Sequence, residues 1–182
     1  KSTLLNLIGA VETPTAGRIF LGETEIAALS ERALTRIRRE RIGFVFQFFN
    51  LIPTFTVREN VAFPLHLLGA RRREIAGRVA ATLEDVGLAH RAGHYPNELS
   101  GGEMQRVAIA RGIVHRPEIL IADEPTGNLD TKTGEAILDL ISAVHRAHRP
   151  TIVMATHSDR AAARGDRILD VLDGEVRGRA DR

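Results

Sequence analysis

Two unbroken apolar runs, Ile119-Leu120-Ile121-Ala122 and Ile152-Val153-Met154-Ala155, constrain this chain more than any other feature. Runs without polar alternation mark strands covered on both faces. Between them Ala136, Ile137, Leu140, Ile141 and Val144 recur at helical spacing. Strands alternating with helices imply a mostly parallel sheet wrapped by helices, an α/β fold.

The rest of the chain fits that frame. Ile42–Phe46 reads as a further buried strand from its β-branched and aromatic content. Arg18–Leu21 reads as a short strand and Ser30–Arg41 as a charged helix. Helices are expected over Thr56–Leu68, Arg71–Val86 and Ser100–His115, with Val79, Leu83 and Val86 on one face. No strand separates these three, so residues 54–115 are expected to form an inserted helical subdomain. Ile168–Leu172, Asp173-Gly174 and Glu175-Val176 read as a hairpin closed by a type I′ turn. The segment Lys1–Ile8 is helix-like from its first residue, with no capping residue and no strand ahead of it.

Composition narrows the chemistry. The 182 residues are 43% hydrophobic and 26% charged, as in an ordinary globular domain, and one domain is expected. There is no cysteine, which excludes disulfides, thiolate metal sites and cysteine nucleophiles. No apolar run approaches the roughly 18 residues of a membrane span. A net charge of +2 gives no reason to expect a nucleic-acid partner.

Chemistry-bearing residues cluster where strands end. In open parallel sheets, ligands bind beyond the carboxyl ends of the strands. Asp123 and Glu124 close the run Ile119–Ala122, and adjacent carboxylates there are costly unless a cation or a reacting water uses them. His157 follows Ile152–Ala155, and Gln47 follows Ile42–Phe46. Leu99-Ser100-Gly101-Gly102-Glu103 reads as a capping box, Ser100 with Glu103. A capping box does not explain two glycines in a first helical turn, each costing about 1 kcal/mol against Ala. Bare backbone there lets an anion reach the N–H groups of the helix end. Lys1-Ser2-Thr3 is either an ordinary helix start or the end of a phosphate-binding loop G-x-x-x-x-G-K-[ST]. Asp130 either caps the helix after it or serves a subunit contact. Gly112 lies inside the helix expected over Ser100–His115, slightly weakening it and touching no chemistry.

Taken together, these motifs resemble the ATP-binding subunit of ABC transporters, over essentially the whole chain. Leu99–Glu103, continuing through Met104-Gln105-Arg106-Val107-Ala108-Ile109-Ala110-Arg111, matches the family's signature sequence. Ile119–Glu124 matches its Walker B motif, Asn128-Leu129-Asp130 its D-loop, Gln47 its Q-loop and His157 its H-loop. Phe46–Pro53 and Ala122–Asp130 look most like the branch of lipoprotein-releasing, macrolide-export and cell-division ATPases.

The resemblance implies a P-loop NTPase core working as a homodimer that sandwiches two ATP molecules with Mg2+. Each ATP would lie between Lys1, Ser2, Thr3, Gln47, Asp123, Glu124 and His157 of one subunit and Ser100, Gly101 and Gly102 of the other. Asp130 is expected beside the nucleotide. Ser2, Gln47 and Asp123 would hold Mg2+, Glu124 would be the general base, and His157 would position the γ-phosphate. The implied partners are ATP, a second copy and integral-membrane permease subunits, at the cytoplasmic face of the inner membrane. Phe48, Phe49, Leu51 and Ile52 form an apolar cluster in the loop after Gln47, where either the core or a helix of the permease is expected to take them. The resemblance also implies strands and P-loop glycines ahead of Lys1, and without them little ATP binding or hydrolysis is expected. Two other roles stay open: an ATPase of a cell-division complex that activates cell-wall hydrolases without transport, and a soluble ABC ATPase. The short stretch from Gln47 to Ser100 leaves no room for the coiled coil of chromosome-organising ATPases.

Overall fold

The computed structural model describes residues 1–178. Its centre is a parallel sheet of three strands, β3 (Ile42–Val45), β4 (Ile119–Asp123) and β5 (Thr151–Ala155), in the order β3-β4-β5. Ile119 pairs with Ile42 on one side and Thr151 on the other, and Ala122 pairs with Val45 and Met154. That register brings the carboxyl ends of all three strands to one edge of the sheet.

The alternation of β4 explains why it reads as continuously apolar. Leu120 and Ala122 enter one apolar cluster and Ile121 enters another, on the opposite face. The first cluster is shared with α3 (Val57–Leu67), α4 (Arg72–Asp85), α5 (Gly101–Ile113) and α6 (Thr131–His148). The second is shared with α1 (Ser2–Ile8) and α2 (Glu31–Arg41), and with Leu21 and Ile26 at the two ends of the short antiparallel pair β1 (Phe20–Leu21) and β2 (Thr24–Glu25). The helices expected as a subdomain therefore share one core with β4 and α6. Ile152, Val153 and Met154 are only partly buried, less than their apolar run suggests, because β5 is the last strand of the described sheet.

Local chemistry fixes the helix starts. Ser30, Thr56, Ser100 and Asp130 each accept a backbone N–H three residues on. Buried Asn60 ties down the loop before α3: its Oδ1 accepts the Ile52 N–H, and its Nδ2 donates to the carbonyls of Ile52, Phe55 and Thr56. The short helix α7 (Asp159–Ala162) follows β5. The hairpin β6 (Leu169–Leu172) and β7 (Glu175–Gly178) has positive φ at both Asp173 and Gly174, the type I′ geometry that the sequence suggests.

Candidate active site

Three segments meet at the carboxyl edge of the sheet. β4 delivers Asp123 and Glu124, β5 delivers Thr156 and His157, and the start of α1 lies across both. Lys1 Nζ donates to the Thr156 carbonyl at 2.5 Å and stands 3.4 Å from His157 Nδ1. Ser2 Oγ donates to Asp123 Oδ2 at 3.2 Å. Thr3 is exposed in the same turn.

Glu124 is the strained member. Its φ is +45°, a left-handed conformation that costs a non-glycine residue roughly 1–3 kcal/mol and persists only where the surroundings enforce it. The hydrogen bond from its N–H to the Ala155 carbonyl, 2.9 Å, is part of that enforcement. The turn sends the side chain back over the sheet end. Thr156 Oγ1 donates to Oε2 at 3.4 Å. Oε1 is buried without a hydrogen-bond partner, 3.8 Å from His157 Nε2. A buried carboxylate oxygen without a donor is expensive, so this atom is suited to a water or another incoming donor. The His157 ring is largely exposed and free to face a ligand.

Among the described residues Gln47 makes its side-chain hydrogen bond to Asn128 and not to this group. Its Nε2 donates to Asn128 Oδ1 at 3.3 Å, and Asn128 Nδ2 donates to the Gln47 carbonyl at 2.9 Å. The loop beyond it is pinned by Arg111, whose guanidinium donates to the carbonyls of Phe49 (2.8 Å) and Asn50 (2.6 Å). Both residues have positive φ. In this loop Phe48 is the exposed ring, at 73%. Phe49 is half-buried toward Gly101, while Leu51 packs on the core and the Ile52 N–H is bonded to Asn60. The apolar cluster expected there is thus divided between core and surface.

The Ser100 turn forms the expected capping box. Ser100 Oγ accepts the Glu103 N–H at 3.3 Å, and Glu103 Oε2 accepts both the Ser100 N–H and its hydroxyl. The Ser100 N–H foremost, then its hydroxyl and the Arg91 guanidinium, hold the Glu103 carboxyl below the usual carboxylate range. The N–H groups of Gly101 and Gly102 stand in the first turn, without intrahelical acceptors. The glycines also have a packing role that sequence reasoning missed. A Cβ on Gly102 would lie 2.5 Å from Thr133 Cγ2, and one on Gly101 would lie 3.3 Å from Leu129 Cδ2. Asp130 caps α6 through the Thr133 N–H, 3.1 Å away. The Thr133 hydroxyl, then that N–H, keep its carboxyl below the usual range. Among the described residues no hydrogen bond joins the Ser100 turn to Lys1, Asp123 or Glu124.

These donors suit a hard cation poorly as a closed cage and well as a partial shell. Among the described residues no three His, Asp or Glu side chains gather to hold a metal. Ser2 and Asp123 supply oxygens, as Mg2+ prefers, and Mg2+ ordinarily completes its shell with phosphate and water.

The model of the ABC transporter family matches residues 1–127. The chain belongs to that family. Across 176 residues it is 46% identical to the lipoprotein-releasing system ATP-binding protein LolD of Geobacter metallireducens, covering 97% of this chain and 78% of that protein. It is 47% identical over 176 residues to the uncharacterized ABC transporter ATP-binding protein Rv0986 of Mycobacterium tuberculosis, covering 71% of it. Among solved structures it matches the ATP-binding cassette MJ0796 in a dimeric post-hydrolysis state bound to ADP and Pi. That match has a TM-score of 0.88 and 42% identity, over 99% of this chain and 79% of that one. The fold is that of an ABC ATPase, and Lys1, Ser2, Asp123, Glu124 and His157 cluster at the carboxyl edge of its parallel sheet. Thr156, which the sequence motifs did not single out, joins this cluster through hydrogen bonds to Lys1 and Glu124, and Asn128, known from sequence only as part of the D-loop match, is bonded to Gln47. The position of Thr156 at the end of an apolar run was the available signal for it.

Proposed function

We propose that this ABC ATPase subunit powers a membrane transporter: two copies close on two ATP molecules, hydrolyse them and reopen, moving a permease. The convergence of Lys1, Ser2, Asp123, Glu124 and His157 at one sheet edge carries this reading. Lys1 Nζ donates to a neutral carbonyl and lies beside the His157 ring, with no carboxylate partner among the described residues. A phosphate oxygen would replace that with a charge-assisted bond about twice as strong. Glu124 Oε1, buried without a partner, would accept the proton of the attacking water, and His157 would hold the γ-phosphate beside it. Ser2, Gln47 and Asp123 would hold Mg2+, which supplies charge neutralisation at the phosphate oxygens.

The partner subunit would contribute Ser100, Gly101 and Gly102, whose helix end offers positive potential to the far side of the same phosphates. Asp130, next to that turn through Thr133, would lie near the contact between copies. Exposed Phe48 supports a permease helix docking beside Gln47. No helix among the described residues is long and apolar enough to cross a membrane, and the subunit would sit peripherally, on the cytoplasmic face of the inner membrane. The relatives named above favour transport, and none lends specific support to the cell-division role.

Glu124→Gln tests the chemistry, in a chain that carries phosphate-cradling glycines ahead of Lys1. It keeps the shape and removes the base. Turnover should fall by at least 10²-fold, the scale of a general base, while ATP-dependent dimers accumulate on gel filtration. Wild-type turnover would refute the role of Glu124.

A further inference from the structure

We infer that Asn128 is a positioning residue that aims the carboxamide oxygen of Gln47 at the metal of the nucleotide site. The inference rests on the ATPase reading above and assigns to Asn128 a part in it.

The argument is one of donors and acceptors. A main-chain carbonyl can only accept, so the group that Asn128 offers to the Gln47 carbonyl must be its NH2. That contact fixes which way the Asn128 amide is turned. Its oxygen then faces the Gln47 side chain and can only accept, so Gln47 must present its own NH2 there. The Gln47 amide is thereby fixed as well. Its Nε2 is committed to Asn128, and Oε1, the atom that binds a hard cation, is left for the site. A glutamine without this partner could offer its NH2 to the site instead, and an amide nitrogen does not ligate Mg2+.

Gly127 independently indicates that the room for this arrangement is limited. A Cβ there would lie 2.8 Å from Gln47 Nε2 and 3.2 Å from its Cδ. The glutamine side chain lies directly against the backbone that carries Asn128. The loop beyond Gln47 is held separately by Arg111, so Asn128 sets the amide while Arg111 sets the main chain. Outer-shell partners of metal ligands act in this way, and losing one typically costs 10–100-fold in metal affinity or activity.

The test uses Mn2+ as a probe, in protein carrying the glycines ahead of Lys1 and loaded with a non-hydrolysable ATP analogue. Mn2+ affinity is read by water-proton relaxation, and analogue affinity without metal is read by calorimetry. Asn128→Ala should weaken Mn2+ about tenfold or more, with metal-free analogue affinity unchanged. Asn128→Asp keeps an acceptor for Gln47 Nε2 and should hold Mn2+ more tightly than Asn128→Ala. Gln47→Ala should weaken Mn2+ similarly, and adding Asn128→Ala to it should cost nothing more. A further loss in that double variant, or wild-type Mn2+ affinity in Asn128→Ala, would overturn the inference while leaving the ATPase reading intact. Failure of the unsubstituted protein to bind Mn2+ and analogue at all would overturn both.

Discussion

Gly43→Ala should be the most damaging single methyl group that this fold can receive near its site. Gly43 is buried on β3, where α5 crosses it. A Cβ there would lie 2.0 Å from the Gly112 carbonyl oxygen, 3.0 Å from its carbon and 3.0 Å from Leu120 Cδ1. A carbon sits no closer to a carbonyl oxygen than about 3.3 Å, so α5 and β3 must separate by roughly 1.3 Å. The nearest atoms are backbone, and no rotamer change relieves the clash. A gap of 0.5–1 Å already forfeits a quarter to a half of the dispersion energy across a packed surface. The cost should reach the upper end of overpacking, about 3 kcal/mol. For a chain of this size that lowers Tm by about 6–12 °C. Gly112→Ala is the control. Its Cβ would meet Leu120 Cδ1 and the Phe44 carbonyl oxygen at 3.2 Å, a few tenths of an ångström too close, against about 1 kcal/mol of gained helix propensity. The two effects should nearly cancel, leaving stability within about 1 kcal/mol of wild type. Thermal unfolding of both variants decides the matter. A Gly43→Ala protein melting within 2 °C of wild type would show that the crossing is not the constraint described.

Further outcomes are expected. Phe48→Ala should leave Tm unchanged, since the ring is 73% exposed, and should reduce stimulation of ATP turnover by a permease; unchanged stimulation removes Phe48 from the docking surface. Burial holds the His115 imidazole below its ordinary pKa, with Arg78 adding to the effect and the bond to the Ile42 carbonyl opposing it. The unfolded chain takes that proton near pH 6.5 and the folded chain only lower, so stability present above about 6.5 is lost as pH falls through this window. His115→Gln should show a flatter fall of Tm between pH 7 and 5, and an equal slope would refute it. In protein carrying phosphate-cradling glycines ahead of Lys1, a mixed dimer of Lys1→Ala and Ser100→Arg chains should occlude one ATP, because one of its two sites combines an intact Lys1 with an intact Ser100 from the neighbour. No occluded ATP in a verified mixed dimer would refute the sharing of sites.

Sequence patterns captured what depends on periodicity and on strand ends. Leu120 and Ile121 face different cores, so β4 has to be apolar at every position, and the run is legible. Asp123, Glu124 and His157 were legible because a parallel register leaves the carboxyl ends together. What stayed hidden depends on contacts between distant segments. Gly112 looked like a mild helix defect, yet it is where α5 crosses β3, and no local pattern pairs it with Gly43. Gly101 and Gly102 suggested an anion, but the side chains of Leu129 and Thr133 also demand small residues there. Phe48 and Phe49 are equivalent as letters, and only the left-handed backbone at Phe49 turns one outward and the other toward α5.

That turn ties two parts of the site together mechanically. The helix α5 has 13 residues, about 20 Å of rigid rod. At its start is the Ser100 turn, with free N–H groups at Gly101 and Gly102. Near its end is Arg111, which grips the carbonyls of Phe49 and Asn50 just beyond Gln47. A tilt of α5 that moves the Ser100 turn therefore moves the anchor of the Gln47 loop in the same motion. The tilt cannot be a slide along β3, because backbone already meets backbone where Gly43 faces Gly112. That close crossing, one residue from the end of α5, leaves rotation about itself as the lower-cost motion, with the Ser100 end swinging around it. Ser100 lies farther from the crossing than Arg111 does, so a small displacement of the loop beside Gln47 corresponds to a larger one at the signature turn.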